Sequence, residues 1–225
     1  MKKKHIYSLL EEKMLSYADY VDMPVQASAE PLLPIPIDGF IAARQVDTAM
    51  IDYTGESIYL RRGVLERLQC AARMLADYDS TLQLEVVYGY RALSIQTRLF
   101  QDTIAKLQSR YTGEALRAAA HRFVAVPEAA GHPAGAAIDV QLIRNGQPLN
   151  FGTAMHEFTA DTMTFSPFID TDAWGNRQLL RQQLLAAGFA PFDGEWWHFS
   201  YGDKEWARYY NRGFAHYEQI EFSTT

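Results

Sequence analysis

The clearest helical pattern runs over residues 62–78. There Val64, Leu65, Leu68, Ala71, Ala72 and Leu75 return every three or four positions and so share one face. Directly after it, Leu82, Leu84 and Val86 alternate with Gln83 and Glu85, the period of a half-buried strand ending near Tyr88-Gly89-Tyr90-Arg91. Ile6, Leu9, Leu10, Met14, Tyr17 and Val21 predict an amphipathic helix at the N-terminus. Residues 24–58 break this order with Pro24, Pro31, Pro34, Pro36, Gly39 and Gly55. They read as an extended arm with short strands, packed because it is rich in Ile, Leu, Tyr and Phe. Ser94 is placed to cap a helix reaching about Arg110, and Thr112 a second reaching about Phe123. Ala136 to Ile143 reads as a strand, and 144–175 as a long loop without periodicity. Asn176 is placed to cap a helix carrying Leu179, Leu180, Leu184 and Leu185, with Gly188 as its stop signal. Residues 195–201 predict a strand, and Asp203 a cap for a last helix through Tyr210. Helices and strands mix without a regular βα repeat, so the expected class is α+β.

At 225 residues the chain suits one domain over 1–225, with the N-terminal helix and arm (about 1–58) packed on it. A hydrophobic content of 48% is enough for a core that needs neither disulfides nor a structural metal. The net charge is −6 and basic residues form no long block, which argues against nucleic acid or an anionic membrane as partner. Lys2-Lys3-Lys4 is followed by Glu11, Glu12, Lys13, Asp19 and Asp22 rather than by an apolar stretch. No run approaches the ~20 apolar residues of a membrane span, and the expected location is the cytoplasm. The single cysteine, Cys70, excludes an intramolecular disulfide. It is expected on the apolar side of the 62–78 helix as a buried packing thiol.

Two short segments change the picture: His132-Pro133-Ala134-Gly135-Ala136-Ala137-Ile138-Asp139 and Glu195-Trp196-Trp197-His198. His132 lies in a glycine-rich loop just before the strand carrying Asp139, a separation that can bring both side chains to one point. Taken alone, they could equally be a loop histidine and a capping aspartate. Strict alternation would send Glu195 and His198 to opposite faces, so a bulge or twist is needed for both to reach one metal. Otherwise Trp196 and Trp197 simply pack an edge strand. Together, His132, Asp139 and His198 make a ligand set that leaves a fourth position for water, whose pKa zinc brings to ~7. Glu195 is then the general base. Arg91, after Gly89 at a strand end, is the best-placed cation for an oxyanion, although an arginine there can also serve a surface salt bridge. His5, His121 and His216 read as surface or packing residues. His156, inside the aperiodic loop, is harder to set aside.

His132-x-x-Gly135-x-Ala137-x-Asp139 with Glu195-x-Trp197-His198 resembles the paired signatures of the zinc D-alanyl-D-alanine peptidases. The Tyr90-Arg91 upstream and the Glu-Trp-Trp-His form are most similar to the D-Ala-D-Ala dipeptidase branch, which includes enzymes of vancomycin resistance. The resemblance runs from about Val87 to Tyr201. It implies a small antiparallel sheet flanked by helices, with one zinc ion in a cleft bound by His132, Asp139 and His198. It implies Glu195 as general base and acid, Arg91 as transition-state stabiliser, and a confined site for free dipeptides. Two positions depart from the family pattern. Ala130 stands where a substrate-holding serine is usual, and His156 where the family places an aspartate for the substrate ammonium, with Glu157 next to it.

The expected function is zinc-dependent hydrolysis of D-alanyl-D-alanine or a closely related small D,D-dipeptide. The alternatives are a zinc D,D-carboxypeptidase or amidase acting on another peptidoglycan-derived peptide, and a non-catalytic binding module that keeps the fold.

Overall fold

The strand over residues 82–88 forms, and it becomes an inner strand of a mixed sheet. The computed structural model describes residues 2–157 and 159–223. In chain order its elements are α1 (Lys3–Glu11), β1 (Leu32–Pro34), β2 (Ile41–Ala43), α2 (Thr48–Thr54), β3 (Tyr59–Arg61), α3 (Arg62–Tyr78), β4 (Leu82–Tyr88), α4 (Leu93–Leu107) and α5 (Gly113–His121). Then come β5 (Ala137–Arg144), β6 (Gln147–Pro148), α6 (Thr171–Ala186), β7 (Ala190–Pro191), β8 (His198–Ser200) and α7 (Lys204–Tyr209). The main sheet has the order β2-β4-β5-β8-β7, with β6 paired to the far end of β5. Every pairing in it is antiparallel except β2 with β4, which is parallel. β1 and β3 form a separate antiparallel pair. The class is α+β, as expected.

Strand β5 is buried along nearly its whole length, and its two faces have different duties. Ile138, Val140 and Leu142 point into the main core with Leu68, Ala71, Ala72 and Leu75 of α3 and Leu180 and Leu184 of α6. The intervening Asp139 and Gln141 face the other way, because strand side chains alternate. A second hydrophobic cluster is built from Tyr17, Tyr20, Phe100, Ala120, Val126 and Ala129. Tyr20 of this cluster and Asp139 of β5 line one cleft.

Several sequence expectations shift in the structure. Cys70 is exposed, not buried: at 100° per residue it lies about 200° around the helix from Leu68, away from the core stripe. The first helix stops at Glu11, and Tyr17 instead opens a short 3₁₀ turn whose cap is Ser16. Helix α6 begins at Thr171, five residues ahead of Asn176. Asp170 caps it through a 2.7 Å bond from the Ala173 N–H, while the Asn176 amide donates to the Asn150 carbonyl. α4 starts at Leu93 after Ala92, so Ser94 falls inside it, and Thr112 precedes α5 without a side-chain bond. Asp203 does cap α7, accepting from the Trp206 N–H at 2.8 Å.

The aperiodic 144–175 segment is anchored by one buried cation. Arg177 of α6 donates to the carbonyls of Phe151, Asp161 and Met163, each at 2.8 Å. Among the described residues no helix is long and apolar enough to cross a membrane.

Candidate active site

Sheet register assembles the site. In the ladder Asp139 of β5 stands opposite Tyr88 of β4 on one side and His198 of β8 on the other, so the three side chains share a face. The pairing of β4 slips by one residue between Val86 and Tyr88, a bulge that brings Tyr88 level with Asp139.

His132 arrives from the turn before β5. Gly135 closes that turn with φ 66°, a left-handed conformation that favours glycine, and its N–H bonds back to the His132 carbonyl at 2.9 Å. The His132 ring donates from Nδ1 to the Gly89 carbonyl at 2.8 Å. This leaves Nε2 as the lone-pair nitrogen, 3.5 Å from Asp139 Oδ1. His198 brings its Nδ1 to 3.0 Å from the same oxygen. The ligand atoms of His132, Asp139 and His198 all lie within 4.8 Å of one another. Two imidazoles and a carboxylate converging this closely, one imidazole already oriented by a backbone carbonyl, fit a zinc ion with an open position.

Glu195 reaches the cleft differently from the expectation. The predicted strand over 195–201 contracts to His198–Ser200, and Glu195 sits in a turn closed by the His198 N–H on the Glu195 carbonyl at 3.1 Å. That turn, not a bulged strand, puts both side chains into one cleft. Burial pushes the Glu195 carboxyl up to about 7, with nearby His198 opposing the rise. A carboxyl poised near neutrality is what a proton shuttle needs.

Around it the charges are strongly coupled. Burial works against ionisation of Asp139, but His132, His156 and His198 outweigh it and hold the carboxyl well below its usual range. His132 is pushed down to about 4 by burial, against the pull of Asp139. For His198 burial is overcome by the Asp139 bond and charge, which raise it to about 9.

Arg91 lies in the same cleft. Its guanidinium packs 4.0 Å over the Tyr88 ring, Nη1 donates to Gln96 at 2.7 Å, and among the described residues its buried Nε has no hydrogen-bond partner.

All five residues singled out from sequence (Arg91, His132, Asp139, Glu195 and His198) therefore meet in one cleft of about 80 Å³. Two larger hollows, one along Arg67, Tyr201 and Trp206 and one along Phe100, Ile104 and Arg117, are lined by none of these five residues. His156 also belongs to the site: its Nε2 lies 2.9 Å from the second oxygen of Asp139, and burial notwithstanding, that contact raises its pKa. Glu157 does not. It is exposed and bonds the Ala154 N–H at 3.0 Å inside its own loop.

Three further lining residues, Tyr20, His121 and Glu205, were not found as site residues by sequence reasoning. His121 Nδ1 accepts from the Val126 N–H at 3.2 Å, and burial keeps the ring neutral with a pKa of about 4. Its proton is therefore on Nε2, which donates to the Tyr20 hydroxyl at 3.3 Å. Their only sequence signal was His121 itself, a polar residue at the end of an apolar helical stretch.

Comparison with known proteins fits this geometry. The profile of the D-Ala-D-Ala dipeptidase family of peptidases (Peptidase_M15) matches residues 41–220, a longer stretch than the motifs alone marked. A D-alanyl-D-alanine dipeptidase of Synechocystis sp. is 31% identical, covering 90% of this chain and 94% of its own. Among solved structures, the vancomycin-resistance D,D-pentapeptidase VanY, in a complex with Zn(II), aligns at 20% identity with a TM-score of 0.42, over 81% of this chain and 90% of that one. The LD-carboxypeptidase LdcB aligns at 20% identity and a TM-score of 0.44, over 82% and 76%. On the profile and the Synechocystis relative, the chain belongs to the D-alanyl-D-alanine dipeptidase family and is a metallopeptidase.

Proposed function

We propose that the cleft hydrolyses D-alanyl-D-alanine or a closely related small D,D-dipeptide, with His132, Asp139 and His198 holding one zinc ion. The convergence of those three ligands beside a buried Glu195 and an Arg91 with an unused nitrogen carries the reading. Zinc in such a site supplies Lewis acidity, which makes water a competent nucleophile near neutral pH. Glu195 takes the proton of the attacking water and returns it to the departing amine as the C–N bond breaks. Arg91 offers its guanidinium to the negative charge that develops on the carbonyl oxygen. His132 is held in one tautomer by Gly89, and Asp139 is steadied through its second oxygen by His156.

Residues 1–225 act as one unit in this reading, since Tyr20 of the N-terminal region lines the cleft. The activity is placed in the cytoplasm, where an exposed, unpaired thiol such as Cys70 stays reduced. Glu157, turned into its own loop, favours one second reading: the same chemistry on another peptidoglycan-derived peptide, with different amino-group recognition.

The test is release of free D-alanine from D-Ala-D-Ala by the zinc-loaded protein, with Glu195→Ala alongside. Turnover is expected to fall about 10²–10⁴-fold in the variant while zinc content is unchanged. An equally active variant removes Glu195 from the mechanism. A wild-type protein that holds zinc and releases nothing moves the substrate elsewhere.

A further inference from the structure

In the same cleft as the candidate zinc ligands stands a carboxyl group that this reaction does not use. Glu205, in the first turn of α7, is 7% exposed and lines the cleft with His198 and Glu195. Its Oε1 is fully buried and accepts no hydrogen bond among the described residues. The neighbouring cation cannot serve it: Lys204 turns its ammonium to the carbonyls of Val21 and Glu128. His121 is neutral and spends its N–H on Tyr20. Arg91 turns Nη1 to Gln96 and packs on the Tyr88 ring, and among the described residues it makes no hydrogen bond or ion pair with Glu205. Burial, with Asp203, Glu195 and Asp193 adding to it and His198 opposing, pushes the Glu205 carboxyl up to about 8, and Asp203 itself accepts from Ser200 and the Trp206 N–H. A buried carboxyl oxygen without a donor is costly in either protonation state, a neighbouring cation would draw the group to its ionised form, and packing alone would be served by an apolar side chain.

We propose that Glu205 is the seat for a primary ammonium of the substrate, either its α-ammonium or that of a basic side chain. An ammonium brings the two things the position lacks, positive charge and N–H donors, in one group. The inference rests on the cleft being the hydrolytic site, and it names a specificity determinant of that site.

Three peptides separate the sources: D-Ala-D-Ala, with only an α-ammonium; N-acetyl-D-Lys-D-Ala, with only a side-chain ammonium; and N-acetyl-D-Ala-D-Ala, with neither. Zinc-loaded wild-type, Glu205→Gln and Glu205→Asp proteins are compared on each. In Glu205→Gln the KM is expected to rise about 10- to 100-fold, the loss of one charge-assisted hydrogen bond, only for the peptide whose ammonium is seated. kcat and zinc content are expected to change little, and Glu205→Asp to recover part of the preference. An equal change on all three peptides, or no change on any, overturns the proposal. A folded Glu205→Gln protein, shown by zinc content and thermal melting, that keeps the wild-type preference among the three overturns it as well. No turnover of any D,D-peptide by the wild type overturns the hydrolytic reading, and this inference with it.

Discussion

The two walls of the cleft are built on opposite principles. On the sheet wall the three candidate metal ligands are held within the protein: His132 by the Gly89 carbonyl, and Asp139 against His132, His198 and His156. On the facing wall Tyr20, His121 and Glu205 come from three distant parts of the chain, and the hydrogen-bond chain from Val126 through His121 to Tyr20 stops short of Glu205. The sheet wall is pre-organised by backbone register, so it is set for chemistry. The facing wall leaves a polar group for the ligand to complete, so it is set for selection. A catalytic centre is rigid where atoms react and unfinished where identity is read.

That contrast can be broken most severely at Arg91, which stands between the walls. Arg91→Ala is expected to lower kcat about 10²–10³-fold with zinc content intact. A loss confined to KM would make it a binding group rather than a stabiliser of the transition state. Next is His121, which tests whether the facing wall is truly dry. Its pKa is about 4 folded, against 6.5 for the free group. Between those values the unfolded chain binds the extra proton, so the stabilisation is complete above pH 6.5 and is lost as pH falls towards 4. The total is about 3 kcal/mol. Urea unfolding at pH 7 and pH 4.5 should show a shallower acid loss in His121→Gln than in wild type, and identical losses would mean the imidazole is solvated. The mildest probe is His156→Ala on the sheet wall. Losing the partner of Asp139 Oδ2 is expected to weaken zinc binding or turnover about 10- to 100-fold, read by competition with a chelator and by D-alanine release.

The sequence disclosed the sheet wall far better than its counterpart. His132, Asp139, Glu195 and His198 sit in two compact motifs whose spacing is set by one turn and one strand pair, so local order carries the chemistry. Even there the mechanism differed in detail. Strand periodicity demanded a bulge at Glu195, whereas Gly194 precedes a turn that brings Glu195 and His198 together. Asp203 was legible as a cap because capping is local, while the cap of α6 was misplaced at Asn176 because Trp174 and Gly175 obscure the pattern of its first turn. Cys70 failed for a simpler reason: its neighbours were apolar, but its angle on the helix was not theirs. Tyr20 and Glu205 lie 185 positions apart in the chain and meet only through tertiary packing, which no periodicity reports.

Arg177 has a consequence for how such a scaffold changes over time. It grips the segment around His156 chiefly by main-chain carbonyls, those of Phe151, Asp161 and Met163, with one long 3.4 Å bond to the Thr153 hydroxyl. Carbonyls are common to all residue types, so those three bonds are indifferent to which side chains the segment displays. Gly152, with φ 79° and Ile169 packed against it, and Thr153, which accepts from Arg177 and Trp196, belong to the anchor; the exchangeable cassette is residues 154–157, whose side chains can be rewritten, as at His156, without touching what holds the segment in place.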